Sequence, residues 1–149
     1  MVYQWKKAAY IKADAQTAGE VCEQLERTIG LSAINLLDVS RAEDAPLHNE
    51  FEWDDETAAE EYRLQQARHI INCLCVKAEG AEKAAEPVRA FFKVEKAEKY
   101  DSLNVILRSE DKHAALLRAA AAELAAFQRK YKALTELQPL WEVIEQISA

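Results

Sequence analysis

The sequence has little of what interrupts helices, since its 149 residues include only three glycines and three prolines. Alanine, leucine, glutamate, lysine and glutamine fill the long stretches between them, and these residues lose little side-chain freedom in a helix. No apolar run approaches the roughly 18 residues of a membrane span, and the start carries no signal-peptide pattern. We therefore predict a mainly α-helical protein of the cytoplasm, without membrane contact.

Cysteine is also scarce, and the number of cysteines argues against disulfide bonds. Cys22, Cys73 and Cys75 are an odd number in a chain long enough to bury a core, so we expect free thiols in a reducing compartment. His69 and Cys73 lie four residues apart, a spacing that can share a metal on a helix, but two further ligands are not evident. We predict buried thiols and no metal.

Charge is unevenly distributed along a chain whose formal net charge is −7. Residues 1–42 are neutral, residues 43–86 carry −8 and residues 87–149 carry +1. Nine acidic side chains and no basic one lie within residues 43–61. This field repels nucleic-acid phosphates, so the charge disfavours a nucleic acid as the partner.

The first third of the chain has the outline of a helix-turn-helix. Apolar steps of four predict a helix over residues 15–29, and Gly30 then ends it. Ser32 is placed to cap a second helix over residues 33–41. This outline leaves an alternative function open, that of a DNA-binding accessory or regulatory protein using residues 15–41.

A third helix follows an extended, aromatic loop. Asp54 or Asp55 is placed to cap it, and the following carboxylates favour the positive end of the helix dipole. We predict that this helix continues to about Cys75. One stripe of it is formed by Ala59, Tyr62, Gln66, Ile70 and Cys73.

Two subdomains are predicted, a helical one over residues 1–76 and a second over residues 88–149. The polar, alanine-rich residues 77–87 between them are the linker candidate. The second subdomain opens with period-two alternation over residues 88–94, which indicates a strand, and residues 100–102 are its hairpin partner.

A long helix over residues 111–134 is predicted to pack on this hairpin. Its apolar residues alternate steps of three and four, as in a coiled-coil seam. Such a seam packs within its own chain or against a second copy, so a homo-oligomer through residues 111–134 stays open. Pro139 opens a last helix, in which Trp141 covers the core.

Catalytic patterns are weak throughout. His48, Asp54 and Asp55 could form a divalent-metal site, but helix capping explains the two carboxylates more simply. The three glycines stand apart, so no glycine-rich loop exists to hold a nucleotide phosphate. We predict that the protein is not an enzyme and binds no cofactor.

The aromatic, acidic loop is the most informative segment, and two roles are open to it. Its aromatic residues can close the core, or they can anchor a protein partner that the carboxylates attract. An unidentified protein partner of basic or amphipathic character would suit the second role. The candidate partner-binding residues are Phe51, Trp53, Asp54, Asp55, Tyr62 and Arg63.

A longer motif surrounds these residues and consists of Pro46-Leu47-His48, Phe51-Glu52-Trp53-Asp54-Asp55, Ala58-Ala59, Tyr62-Arg63 and Gln66-Ala67-Arg68. This motif resembles a family of small, functionally uncharacterised proteins encoded by bacteriophages and prophages. Ala45 departs from the serine that we expect in that family before Pro46. The resemblance implies a bacterial host cell and supplies no activity. The leading hypothesis is therefore a non-enzymatic accessory protein that acts through protein–protein interaction.

Overall fold

The computed structural model describes residues 1–55, 57, 59–77 and 85–148. Its contacts divide the chain into two compact units, Met1–Val105 and Ile106–Ala149. The α-helices of the described residues are α1 (Ala15–Arg27), α2 (Ala33–Val39), α3 (Glu60–Cys73), α4 (Leu103–Arg108), α5 (Glu110–Tyr131) and α6 (Gln138–Ser148). The strands are β1 (Val2–Trp5), β2 (Leu74–Lys77), β3 (Val88–Arg89), β4 (Phe91–Phe92) and β5 (Asp101–Ser102). The prediction of a mainly helical protein is confirmed, and none of the described helices has the length and apolar character needed to cross a bilayer.

The first two helices form as their capping residues predict. The Asp14 carboxylate accepts a hydrogen bond of 2.9 Å from a backbone N–H in the first turn of α1, and Ser32 caps α2 in the same way at 3.1 Å. Gly30 has a φ of 93°, and its N–H donates to the carbonyl of Leu25 at 2.7 Å. A glycine at this position allows the chain to leave α1 in the left-handed conformation and enter α2 after a short turn.

The third helix begins later than predicted. Its N-cap is Ala59, which has no side-chain cap, so the prediction that Asp54 or Asp55 caps α3 is wrong. Asp55 instead forms an ion pair with Arg63. Residue 56 and residue 58, of which the second belongs to the sequence motif, lie outside the described residues.

The end of α3 also differs from the prediction, because the chain leaves the helix at Cys73 and continues directly as β2. β2 is the central strand of an antiparallel sheet of order β1-β2-β3. The predicted strand over residues 88–94 is two strands, separated by Ala90, whose N–H donates to the carbonyl of Leu74 at 3.0 Å. Its second part, β4, pairs with β5, which contains Asp101 and Ser102 of the predicted partner over residues 100–102. Tyr100 forms a bridge with Leu31 instead.

The core of the first unit lies between the three-stranded sheet and the first three helices. Apolar positions on α1 recur at steps of four and three, which gives the helix one buried face. The largest buried apolar side chains of this core include Leu31, Leu36, Leu37, Leu47, Ile71, Leu74 and Phe91.

The predicted linker over residues 77–87 falls mostly on residues 78–84, which lie outside the described residues. Strands β2 and β3 stand on either side of that stretch and pair with each other. Both strands of the predicted hairpin belong to the first unit, while α5 and α6 belong to the second. In the second unit α5 and α6 are joined by a short 3-10 turn, Thr135–Leu137, and contact each other.

Candidate functional site

The loop ahead of α3 is built around two aromatic side chains. Phe51 is 6% exposed, and its ring centroid lies 5.7 Å from that of Trp53, which packs partly buried on the same core. The indole N–H of Trp53 donates to the carbonyl of His48 at 2.8 Å, and the two rings stack with centroids 4.9 Å apart. The Nδ1 atom of His48 lies 3.0 Å from the carbonyl oxygen of Ser40. Phe51 therefore faces the core, and Trp53 fixes the shape of the loop.

Arg63 holds this loop against α3. Its side chain is only 8% exposed, and Nε donates to the carbonyl of Glu52 at 2.8 Å. The guanidinium lies over the Trp53 ring at 5.6 Å and forms ion pairs with Asp55 and, at 3.5 Å, with Glu60. The hydrogen bond that Arg63 donates to the Asp55 carboxylate is the main cause that raises the pKa of Arg63. A buried guanidinium needs such partners, and here the loop supplies most of them.

The six predicted site residues are thus divided between two environments. Phe51, Trp53, Asp55 and Arg63 belong to one connected set of contacts that shapes the loop. Asp54 and Tyr62 are exposed, with 49% of the Tyr62 surface open to solvent, and the Asp55 side chain is exposed as well although it pairs with Arg63.

Tyr62 lines a cleft of about 300 Å³ on the surface of the first unit, which we call the tyrosine cleft. Tyr10 stands on the chain that leads from β1 to α1 and is 94% exposed at the same cleft. A second opening of about 270 Å³ shares Tyr10, Tyr62, Glu50 and Gln66 with it. The cleft is lined by Tyr10, Ile11, Glu50, Tyr62, Gln65, Gln66, His69 and Ile70.

Two hydrogen-bonded tethers hold the walls of the tyrosine cleft in place. The Glu50 carboxylate accepts from the backbone N–H groups of Lys12, at 3.2 Å, and Ala13, at 2.7 Å. Gln66 accepts from the backbone N–H of Glu52 at 3.1 Å, which ties α3 to the aromatic loop. The chain near Tyr10, the 3-10 turn (His48–Glu50) and α3 are therefore connected around one opening.

Sequence reasoning found only part of this cleft. The stripe through Tyr62, Gln66 and Ile70 follows from helical spacing, and the remaining wall of α3, Gln65 and His69, lies on the same side. Nothing in the sequence around Tyr10 indicates that it lies at the cleft. Its position there depends on the hydrogen bonds that the backbone N–H groups of residues 12 and 13 donate to the distant Glu50 carboxylate.

A second groove, of about 300 Å³, lies between α1, α2 and the turn at Pro46. The exposed side chains of α2 are Ile34, Asp38 and Val39, so this helix offers no basic group to a phosphate. The groove is lined by Val21, Gln24, Leu25, Thr28, Ile29, Val39, Ser40, Pro46 and Leu47. These features do not favour the DNA-binding alternative for residues 15–41.

His69 and Cys73, the pair whose spacing could share a metal, lie close together, and the third thiol lies elsewhere. The Cys73 sulfur lies 3.6 Å from Nδ1 of His69, while Cys75 is on β2. Burial raises the pKa of both thiols, which keeps them protonated at neutral pH. Among the residues that the structure describes, no three His, Cys, Asp or Glu side chains are grouped as metal ligands.

Comparisons of the chain with protein-family models, curated proteins and solved structures found no match. The geometry of the first unit is therefore the basis for a functional argument. On its surface, the tyrosine cleft combines exposed aromatic rings and amide groups with a backbone held by the hydrogen bonds of Glu50 and Gln66.

Proposed function

We propose that this is a non-enzymatic interaction protein that binds a segment of another protein in the tyrosine cleft. The observation that carries the proposal is the exposure of Tyr10 and Tyr62 at an opening whose walls are tethered to each other. Tyrosine is favoured at interfaces because its ring supplies a large apolar contact and its hydroxyl a hydrogen bond, while few torsions must be ordered. A cleft that is already shaped also reduces the entropic cost of binding.

The charge of the first unit defines the chemistry of the partner. Residues 1–105 carry the whole net charge of −7, and carboxylates are concentrated in the loop beside the cleft. Such a field accelerates the approach of a basic segment and repels an acidic one. The amide of Gln65, exposed at the cleft, can both donate to and accept from an extended peptide backbone. The proposed ligand is therefore a basic segment with an apolar or aromatic anchor.

In this proposal the six residues singled out from the sequence have two roles. Tyr62 and Asp54 meet the partner directly, while Phe51, Trp53, Asp55 and Arg63 preserve the shape of the loop beside the cleft. The proposal includes self-association through residues 111–134, supported by exposed apolar side chains on α5. The cellular setting, a bacterial host of a phage or prophage, rests on the resemblance of the sequence motif.

Selection of binders from a random peptide library on the full chain tests the proposal. We expect the selected peptides to be rich in lysine, arginine and apolar residues, and to lose at least about tenfold in affinity towards Tyr62→Ala and Tyr10→Ala. Ile34→Ala is the control, because Ile34 is 59% exposed on α2 and does not line the cleft, so this substitution should leave the affinity unchanged. Binders indifferent to both cleft substitutions, or no binders at all, would overturn the proposal.

A further inference from the structure

The sheet β1-β2-β3 has one face in the core and one face turned away from it. Tyr3 pairs with Val76, and both side chains are 4% exposed in the core of the first unit. Cys75 pairs with Gln4 on one side and with Arg89 on the other. Because neighbouring residues of a strand alternate between faces and paired residues share one, Gln4, Cys75 and Arg89 lie on the outer face of the sheet.

Lys6 extends this outer face beyond the end of β1. Its backbone N–H donates to the carbonyl of Cys73 at 3.0 Å, so the pairing with β2 continues past the last residue of the strand. Lys6 also stands two positions after Gln4, where strand alternation returns to the same side. Lys6 and the next residue, Lys7, are both exposed, so two ammonium groups stand at this end of the face.

These two lysines line a cavity of about 540 Å³, which we call the lysine cavity. Cys75 and Glu86 also line it. Trp5 and Pro87 supply apolar walls, and the indole N–H of Trp5 is fixed by a hydrogen bond of 2.7 Å to the carbonyl of Ala13. The volume lies in the range of sites that hold small molecules.

Positive charge acts on the Cys75 sulfur from two directions. Burial raises the pKa of Cys75, whereas the charges of Lys6 and Arg89 act to lower it. Both cations therefore attract a negative charge at the position of this sulfur, and the same field acts on an anion in the cavity. Arg89 is held by hydrogen bonds to the carbonyl of Phe91, at 2.9 Å, and to the side chain of Asn72, at 2.7 Å. A guanidinium has five N–H donors, so these two bonds do not exhaust it.

The cations at the lysine cavity are available to an external anion. Within the described part of the chain, no carboxylate forms an ion pair with Lys6, Lys7 or Arg89. Two lysines and Glu86 give the described lining a net charge of +1, in a unit whose net charge is −7. The cavity is thus a local exception to the acidic character of the first unit.

Screening favours a small anion over a polymer at this place. At physiological ionic strength charges are screened over about 8 Å, so a small anion is influenced mainly by the charges that line the cavity. A long polyanion extends beyond that distance and meets the carboxylates that give the first unit its charge of −7.

We propose that the lysine cavity binds a small phosphate monoester, with the phosphate at Lys6 and Lys7 and the apolar part against Trp5. Lysine binds phosphate as a point charge, and two adjacent ammonium groups suit a group that carries close to two negative charges at neutral pH. An indole ring offers a flat apolar surface to the rest of the molecule. The proposal does not depend on the tyrosine cleft, whose ligand is a basic segment.

Alkylation of Cys75 in the full chain measures the field in the cavity, because Cys22 and Cys73 are buried and Cys75 is partly exposed. The two reagents are iodoacetate, which is anionic, and iodoacetamide, which is neutral and of nearly the same size. The ratio of their rate constants does not depend on the thiolate fraction, which is common to both reactions. We expect Lys6→Gln to lower the ratio of iodoacetate to iodoacetamide rates at least about threefold at low salt.

Lys96→Gln is the matched control for this measurement. It makes the same change in net charge at an exposed lysine that does not line the cavity, so the ratio should stay that of the wild type. Lys7→Gln should lower the ratio in the same direction as Lys6→Gln. Far-ultraviolet circular dichroism should be unchanged in all three variants, because the substituted side chains are exposed.

Protection of Cys75 against iodoacetamide measures binding itself. Phenyl phosphate should slow the reaction, and phenol, its neutral counterpart, should not. The concentration of phenyl phosphate that gives half protection should rise at least about threefold in Lys6→Gln and stay unchanged in Lys96→Gln.

The opposite results would overturn the proposal. These are an equal reagent ratio in Lys6→Gln and Lys96→Gln, no protection by millimolar phenyl phosphate, and equal protection by phenol. Inorganic phosphate that protects as well as phenyl phosphate would overturn the role of Trp5, and polyglutamate that protects better would overturn the assignment to a small molecule. None of these results bears on peptide binding at the tyrosine cleft, so the two proposals can fail separately.

Discussion

The ring of Tyr3 lies directly on the backbone of Gly19. A Cβ atom on Gly19 would overlap the ring carbons, so β1 can approach α1 this closely only because the helix carries no side chain there. The Tyr3 hydroxyl donates to the carboxylate of Glu23 one turn further along α1. This contact fixes the sheet on the first helix of the core.

Gly19→Ala should destabilise the protein by about 1–3 kcal/mol, the usual cost of inserting a methyl group into a packed core. The sign is informative, because alanine in place of a helical glycine otherwise stabilises by about 1 kcal/mol. Urea unfolding measures the change. In a Tyr3→Ala background the same substitution should become neutral or stabilising, and a stabilising Gly19→Ala in the wild type would contradict the contact.

Stability should decline at alkaline pH. Burial, together with Glu23, raises the pKa of Tyr3 above its ordinary value, and burial raises the pKa of Cys22 from 9.0 to about 12. Both groups are neutral when protonated, so the folded state holds their protons more tightly than the unfolded state. Their contribution is complete below about pH 9 and is lost as the pH rises towards 12.

Urea unfolding at a series of pH values above neutrality checks this decline. The slope of unfolding free energy against pH should be shallower in Cys22→Ala than in the wild type, whatever the change in overall stability. A wild-type profile that is flat above pH 9 would contradict the burial of both groups.

Arg63→Lys should loosen the aromatic loop. The planar guanidinium of Arg63 binds the Glu52 carbonyl, Asp55 and Glu60 at the same time. The single ammonium group of lysine cannot replace all three contacts. We expect a lower urea midpoint and faster proteolytic cleavage between α3 and the 3-10 turn. Arg68→Lys is the control, since Arg68 is exposed and its ion pair with Glu61 lies at the surface, where such pairs contribute little. Equal protease resistance in both variants would show that Arg63 does not hold the loop.

DNA should not bind to the first two helices. The exposed side chains of α2 include Asp38 and no group that pairs well with a phosphate, and the net charge of −7 repels the duplex. A mobility-shift experiment at low salt should therefore show no complex. A shift that weakens steeply as salt is added would instead favour the function proposed for residues 15–41.

Divalent metal ions should leave stability unchanged. The His48 ring is stacked on Trp53 with Nδ1 near a backbone carbonyl, and Asp55 is engaged by Arg63, so these groups do not converge with Asp54 on one cation. The thermal midpoint should be the same with added magnesium, with added zinc and with a chelator. A midpoint raised by one of the ions would revive the metal-enzyme hypothesis.

Local signals in the sequence predicted most of the helices. Asp14 and Ser32 cap the helices that their positions indicate, and Gly30 ends the first. The same reasoning failed at Asp55, because a buried guanidinium eight residues later is a stronger attraction than an exposed helix end. Strand β1 was not predicted, because its four residues show no alternation of apolar and polar side chains. It is a strand because it pairs with β2, about seventy positions further along the chain.

The candidate site was likewise predictable from the sequence only in part. Helical spacing alone places Tyr62 and Gln66 on one side of α3. The burial of Phe51 and the position of Tyr10 depend on contacts between distant segments, which periodicity does not report. The aromatic loop is informative in the sequence, whereas the most exposed ring at the cleft, that of Tyr10, comes from another segment.

The antiparallel pairing of β1 with β2 also governs the order of folding during synthesis. β1 leaves the ribosome well before its partner strand, Leu74–Lys77. The hydrogen bond from the backbone N–H of Ser102 to the Glu26 carboxylate can form only later still. At 5–20 residues per second, the nascent first unit therefore waits about 5–20 s before its sheet can be completed. The α5–α6 hairpin, whose contacts are local, can close as soon as it emerges. Translation speed and early chaperone protection should thus affect the yield of the sheet more than that of the hairpin.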